Sequence, residues 1–194
     1  FPEITSIYDV TRLSGGSSNE SWKITIKYLN EIKNIVFRRT PDGNEKDGDN
    51  NNFVGITNEA KVMDVAKSYN VPVPTIYKVI DDKNLGKGFF MEFIEGETLG
   101  ARIVNNDDFK TIRPKLANVC GEIIAHIHSI PIDKFTNIRT SDANEEVLKY
   151  EEVYRNHNQR IPVFEYAIDW LKDNTPKKIS NKLIHGDFRN GNLI

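Results

Sequence analysis

His185-Gly186-Asp187-Phe188-Arg189-Asn190-Gly191-Asn192 directly follows the apolar pair Leu183-Ile184, close to the end of a 194-residue chain. A short apolar run ahead of a polar, glycine-punctuated segment reads as a strand that delivers a loop. The loop spaces three groups that can do chemistry: a carboxylate at Asp187, a cation at Arg189 and an amide at Asn192. A carboxylate at 187 can accept a proton, and an amide five residues on can turn back across a tight loop and offer its oxygen to a cation. Arg189 can pair with an anion or be a solvated loop cation. His185 reads as a loop brace rather than an acid or base.

His-Gly-Asp, four residues, then Asn resembles the catalytic loop of the aminoglycoside phosphotransferase and choline kinase-like family. Protein kinases keep the same spacing with Arg in place of Gly. Four fixed positions at roughly one in twenty each make a chance match somewhere in this chain on the order of one in a thousand. The resemblance implies an α+β, protein-kinase-like fold of two lobes, with an antiparallel-sheet N-lobe and a helical C-lobe. It also implies ATP-dependent transfer of the γ-phosphate to a hydroxyl of a small molecule. Asp187 would be the base, Arg189 a second catalytic group, and Asn192 would sit on Mg²⁺. The likeness covers nearly the whole chain. It is closest to the phosphotransferase domain associated with acyl-CoA dehydrogenases, through Arg38-Arg39-Thr40-Pro41, Trp170-Leu171 and the 185–189 run. That hints at an acyl or other small metabolite as acceptor.

Upstream, residues 21–28 alternate, with Trp22, Ile24, Ile26 and Tyr28 on one side and Lys23, Thr25 and Lys27 on the other, as in a half-buried strand. A turn at Asn30-Glu31 and a strand over 32–38 continue an antiparallel meander. From Asn58 the period becomes helical through Val62, Val65, Ala66 and Tyr69, and Pro72 and Pro74 end it. Strands are expected over 76–80 and 89–94. Beyond them, Ile112, Leu116, Val119, Ile123, Ile127 and Ile130 predict a long amphipathic helix before Pro131, and Val163, Tyr166, Ala167, Trp170 and Leu171 a second. The predicted division is a nucleotide-binding lobe over 1–92 and a helical lobe over 93–194.

The remaining site residues are implied by the resemblance. Gly15, Gly16, Ser17 and Ser18 occupy the turn that folds over the triphosphate, where glycines let backbone approach phosphate. Read alone, the same run is a plain hairpin turn. Val36 and Arg38 share a strand face, so Val36 would roof the adenine while Arg38 reaches the phosphates. Glu59 would pair with Arg38; otherwise it is a first-turn acid favouring the helix dipole. Met91, the Glu92 carbonyl and the Ile94 N–H would meet the adenine at the hinge, or else form a core strand ending at a turn.

Bulk properties narrow the classes. Net charge is −2 and hydrophobic residues are 38%, an ordinary globular composition without the basic excess that nucleic acid requires. No apolar run spans a bilayer and no signal peptide is visible, so a cytoplasmic location and no membrane partner are expected. Cys120, the single cysteine, excludes an internal disulfide framework and is expected to be a buried, inert thiol. His126 and His128 lack metal-ligand partners on their helix. The acidic 42–52 segment lacks calcium-loop spacing. Two other readings stay open at this point: a nucleotide-binding module without transfer activity, and a protein kinase. The resemblance further implies a second metal-binding Asp after the catalytic loop, with no counterpart past Asn192. The 194 residues alone are therefore expected to be inactive, with apolar helix faces left uncovered.

Overall fold

The computed structural model describes residues 3–13, 19–40, 54–136, 138–177 and 180–194. Five strands come with α1 among them: β1 (Ile4–Arg12), β2 (Glu20–Tyr28), β3 (Glu31–Arg39), α1 (Ile56–Ser68), β4 (Ile76–Asp82) and β5 (Gly86–Glu92). Helices follow: α2 (Gly100–Asn105), α3 (Arg113–Ser129), α4 (Ala143–Asn156) and α5 (Pro162–Asn174). The fold is α+β, an antiparallel sheet in the order β1-β2-β3-β5-β4 followed by helices.

The β2–β3 register runs unbroken from Glu20↔Arg39 to Tyr28↔Glu31, so the turn is Leu29-Asn30 rather than Asn30-Glu31. Leu29 takes the left-handed φ of 54° that this tight reversal demands. Two-residue alternation sorts the sheet into two faces. Ser21, Arg38 and Phe89 are in register on one, as are Lys23, Val36 and Met91. Trp22, Phe37 and Phe90 line the other, where the Phe37 and Phe90 rings stack at 4.6 Å.

Two units are compact: Phe1–Ile138 with Lys182–Ile194, and Arg139–Asn181. The first holds two cores. Ile56 and Ala60 of α1 enclose Phe89, all three fully buried, with Met63, Ile76 and Met91 around them. Ala66, Val71, Ile127 and Ile130 form the second core, and Leu183 and Phe188 pack on it. Burying each such large side chain contributes about 1.5–3 kcal/mol. The second unit is a helical hairpin. A capping box at Asp142 and Glu145 starts α4. Arg155 of α4 reaches Glu165 of α5 at 2.5 Å, and Lys172 of α5 reaches Glu151 at 2.5 Å.

Several expectations are corrected. Residues 180–185 form no strand; Leu183 packs on the core while Ile184 stays exposed, and no ladder partner is present among the described residues. β5 ends at Glu92, because Ile35↔Glu92 is the last pair of its ladder with β3. α3 covers Leu116, Ile123 and Ile127, while Ile112 and Val119 are exposed, in line with the expectation of uncovered helix faces. Cys120 is half-buried, not buried. Val163, Tyr166 and Trp170 of α5 are likewise exposed, as the expectation of uncovered faces has it. β1, α2 and α4 are additions to the elements that the periodicity predicts. No helix among the described residues is long and apolar enough to cross a membrane.

Candidate active site

Arg38 lies near the end of β3 and Glu59 in the first turn of α1, and the two form an ion pair. Arg38 Nε donates to Glu59 Oε1 at 2.8 Å, and Nη1 donates to Ser21 Oγ at 3.3 Å. Both side chains are about 70% covered, with 28% and 30% of their surface exposed. That shelter makes the pair stronger than a surface one. Asn19, buried at the entrance to β2, donates from Nδ2 to Glu59 Oε2 at 3.5 Å. Arg39 points to the opposite face, where it bonds Glu20 Oε2 at 3.1 Å and the Leu85 carbonyl at 3.2 Å. Its bond to Glu20, more than any other contact, holds the Glu20 carboxyl below the usual glutamate range.

Val36 is buried opposite Met91, two positions along β3 from Arg38 and on the same face. Lys23 is the other neighbour of Val36, and its Nζ lies 4.8 Å from the centre of the Phe93 ring. At the end of β5 the Glu92 side chain accepts from Thr75 Oγ1 at 2.7 Å and Thr75 N at 3.1 Å. These hydrogen bonds, the hydroxyl's first, hold its carboxyl below the usual range. Glu92 N also donates to the Thr75 carbonyl at 2.9 Å, and Lys67 of α1 donates to the same hydroxyl. The strand exit is thereby tied to the end of α1. Ile94 follows it, partly exposed.

Asp187, Arg189 and Asn192 converge. Arg189 Nε donates to Asp187 Oδ1 at 2.9 Å; Asn192 Nδ2 donates to Asp187 Oδ2 at 2.7 Å and to the Asp187 carbonyl at 2.9 Å. The loop turns at Gly186, whose φ of 81° disfavours a side chain. His185 braces it, its Nδ1 accepting from Asp187 N at 3.3 Å and its ring set edge-on to Phe188 at 5.5 Å. Phe188 fixes the loop to the second core. At its far end the loop passes close to Gly96, where a Cβ would come within 2.4 Å of Ile194 Cγ2. Among the described residues no hydrogen bond or ion pair joins the Asp187 cluster to the Arg38 cluster. Gly15, Gly16, Ser17 and Ser18 lie outside the described residues.

The sheet face thus carries a sheltered strand Arg–helix Glu pair, and the loop joins Asp, Arg and Asn. The model of the phosphotransferase enzyme family matches residues 9–194. The chain belongs to that family. It is 24% identical over 202 residues to mouse acyl-CoA dehydrogenase family member 10, covering 98% of this chain and 18% of the relative. A GDP complex of an aminoglycoside 2′-phosphotransferase-IIIa point mutant superposes with a TM-score of 0.54 at 18% identity, over 88% of this chain and 52% of that one. Choline kinase from Cryptosporidium parvum gives 0.46 at 17% identity, over 89% and 47%. The chain thus spans about half the length of these solved structures and under a fifth of the curated relative.

Asn192 offers an oxygen that could serve a hard metal ion. With Nδ2 turned to Asp187, Asn192 keeps its amide oxygen as an acceptor, and the reverse orientation would set oxygen against the carboxylate. One hard oxygen fits Mg²⁺, which keeps waters and takes phosphate oxygens as further ligands. Among the described residues no three His, Cys, Asp or Glu side chains gather into a metal site. Sequence reading missed Ser21, Thr75 and Lys67 as supports of the site. Each is a short polar or flexible side chain whose role depends on a partner distant in sequence, and no local pattern marks it.

Proposed function

We propose that this phosphotransferase moves the γ-phosphate of Mg-ATP to a hydroxyl of a small molecule. The carrying observation is that Asp187, Arg189 and Asn192 share one set of hydrogen bonds on a braced loop. A carboxylate offers about four lone-pair sites. Arg189 and Asn192 take one on each oxygen, so Asp187 retains capacity to accept the proton of an incoming hydroxyl. Arg189, exposed and two residues along, is placed to offset charge on the transferring group. Asn192 would hold Mg²⁺ through its amide oxygen, where the ion would supply charge neutralisation for the phosphates.

On the sheet side, Arg38 takes the phosphates while Glu59 fixes its fork, and Val36 and Met91 present apolar surface to the purine. The backbone at Glu92 and Ile94 meets the purine edge. GDP in a structure of this fold supports a purine nucleotide here. Residues 1–92 act as the nucleotide lobe and 93–194 as the start of the helical lobe, in a cytoplasmic setting. The acceptor is a small metabolite hydroxyl, and an acyl compound is the first class to try, given the acyl-CoA dehydrogenase relative. A calorimetric titration of the full-length protein with ATP tests the nucleotide half. The expected result is a Mg-dependent Kd below about 1 mM; no affinity at that level with Mg²⁺ present overturns it.

A further inference from the structure

Asn19 stands out among the polar side chains outside the proposed machinery. It is 4% exposed, in a protein whose other buried residues are apolar among those described. Its Nδ2 reaches Glu59 Oε2, and its Oδ1 is buried without a donor among the described residues. The orientation is settled by Glu59: turned over, the amide would set its oxygen against a carboxylate. An amide is kept in such a place against a cost, since an unpaired buried polar atom loses its hydration. A merely structural position would be filled at lower cost by an apolar side chain.

The geometry points to Asn19 as a positioning residue for the phosphates, acting through Glu59 and Arg38. Glu59 has two oxygens and Arg38 a planar fork. With Oε2 held by Asn19 and Oε1 by Arg38 Nε, the carboxylate cannot rotate without breaking one bond. Ser21 Oγ fixes Nη1 from the β2 side, and Nη2 carries no partner among the described residues. The three contacts set the plane of the guanidinium and leave one edge to meet an anion. Asn19 directly precedes β2, so its bond to Glu59 ties the entrance of that strand to α1 through a single carboxylate.

This inference rests on the nucleotide reading above, and the test separates the two. Affinities of the full-length protein for Mg-ATP and for adenosine are measured for wild type, Asn19→Ala, Arg38→Ala and the double variant. The expected outcome is a three- to tenfold weaker Kd for Mg-ATP in Asn19→Ala, with adenosine affinity unchanged and the melting transition retained. In the Arg38→Ala background the Asn19 substitution should then add less than twofold. Equal Mg-ATP affinity in wild type and Asn19→Ala overturns the inference while leaving the nucleotide reading intact. So does a loss shared equally by adenosine, or one fully additive with Arg38→Ala, since both mark a structural role. Absence of Mg-ATP binding by wild type removes both. Should Asn19→Ala fail to fold, Asn19→Ser, which keeps a short donor, is put through the same comparison with the same deciding outcomes.

Discussion

Strand alternation puts Arg38 on the Val36 face and Glu59 opens the next helix, but it is the family resemblance that joins them as a pair in the sequence. Their supports are not legible there. Ser21 and Asn19 reach that pair through space from the β2 entrance, and nothing in the local sequence of either marks a partner on the next helix. The geometry makes a substitution prediction that charge alone would not. Arg38→Lys keeps the cation but loses the fork that serves Glu59 and Ser21 together. It should weaken Mg-ATP affinity about tenfold, a loss of about 1.4 kcal/mol, with Arg38→Ala weaker still. Unchanged affinity for Arg38→Lys in a binding titration would mean that the fork is not used. At the loop, the Asp, Arg and Asn spacing is evident in the sequence, but the Arg189–Asp187 bond that joins them is not.

The elements divide by how local their signals are. β2, β3, α1, α3 and α5 carry clean periods that predict them to within a few residues. β1 has abundant β-branched residues, yet register irregularities at Ile4/Ser6 and Ile7/Asp9 break the alternation that would mark it. α4 starts at a capping box, and it meets α5 through ion pairs as well as the edge-on packing of the Tyr154 and Phe164 rings at 5.8 Å. The ion pairs predict a pH response. Lys172 first, then Arg155, lowers the Glu151 carboxyl, and Arg155 lowers that of Glu165. Both groups bind protons more readily unfolded than folded, so their stabilisation is present above the ordinary glutamate value of 4.5 and fades as pH falls below it. Amide exchange in α4 and α5 should therefore accelerate below that pH, and Glu165→Gln should flatten the response. A profile identical in Glu165→Gln would remove Glu165 from the account. α1 predicts a packing result: Phe89→Ala empties the fully buried site beneath Ile56 and Ala60, at a cost of about 3–5 kcal/mol by chemical denaturation. A loss under about 1 kcal/mol would show that α1 collapses onto the sheet.

Across the molecule, a sheet-first, helix-later order is apparent from the change of period after residue 96, and it places the fold class. The second core is harder to foresee. It draws Ala66 and Val71 from one side of the chain and Leu183 and Phe188 from the far end, and no local pattern links them. Leu183 reads as a strand residue in the sequence because its apolar pairing with Ile184 imitates one; packing rather than a ladder holds it. The second core matters to function because Phe188 sits between Asp187 and Arg189, so burial of one ring fixes the directions of both neighbours. The account stands or falls on Asp187. In single-turnover reactions with γ-labelled ATP, Mg²⁺ and a panel of small hydroxyl compounds, the full-length wild type should label at least one acceptor. Asp187→Asn should lower that rate by about 10²-fold or more, with ATP affinity within about twofold of wild type. Transfer by Asp187→Asn at the wild-type rate would contradict the account.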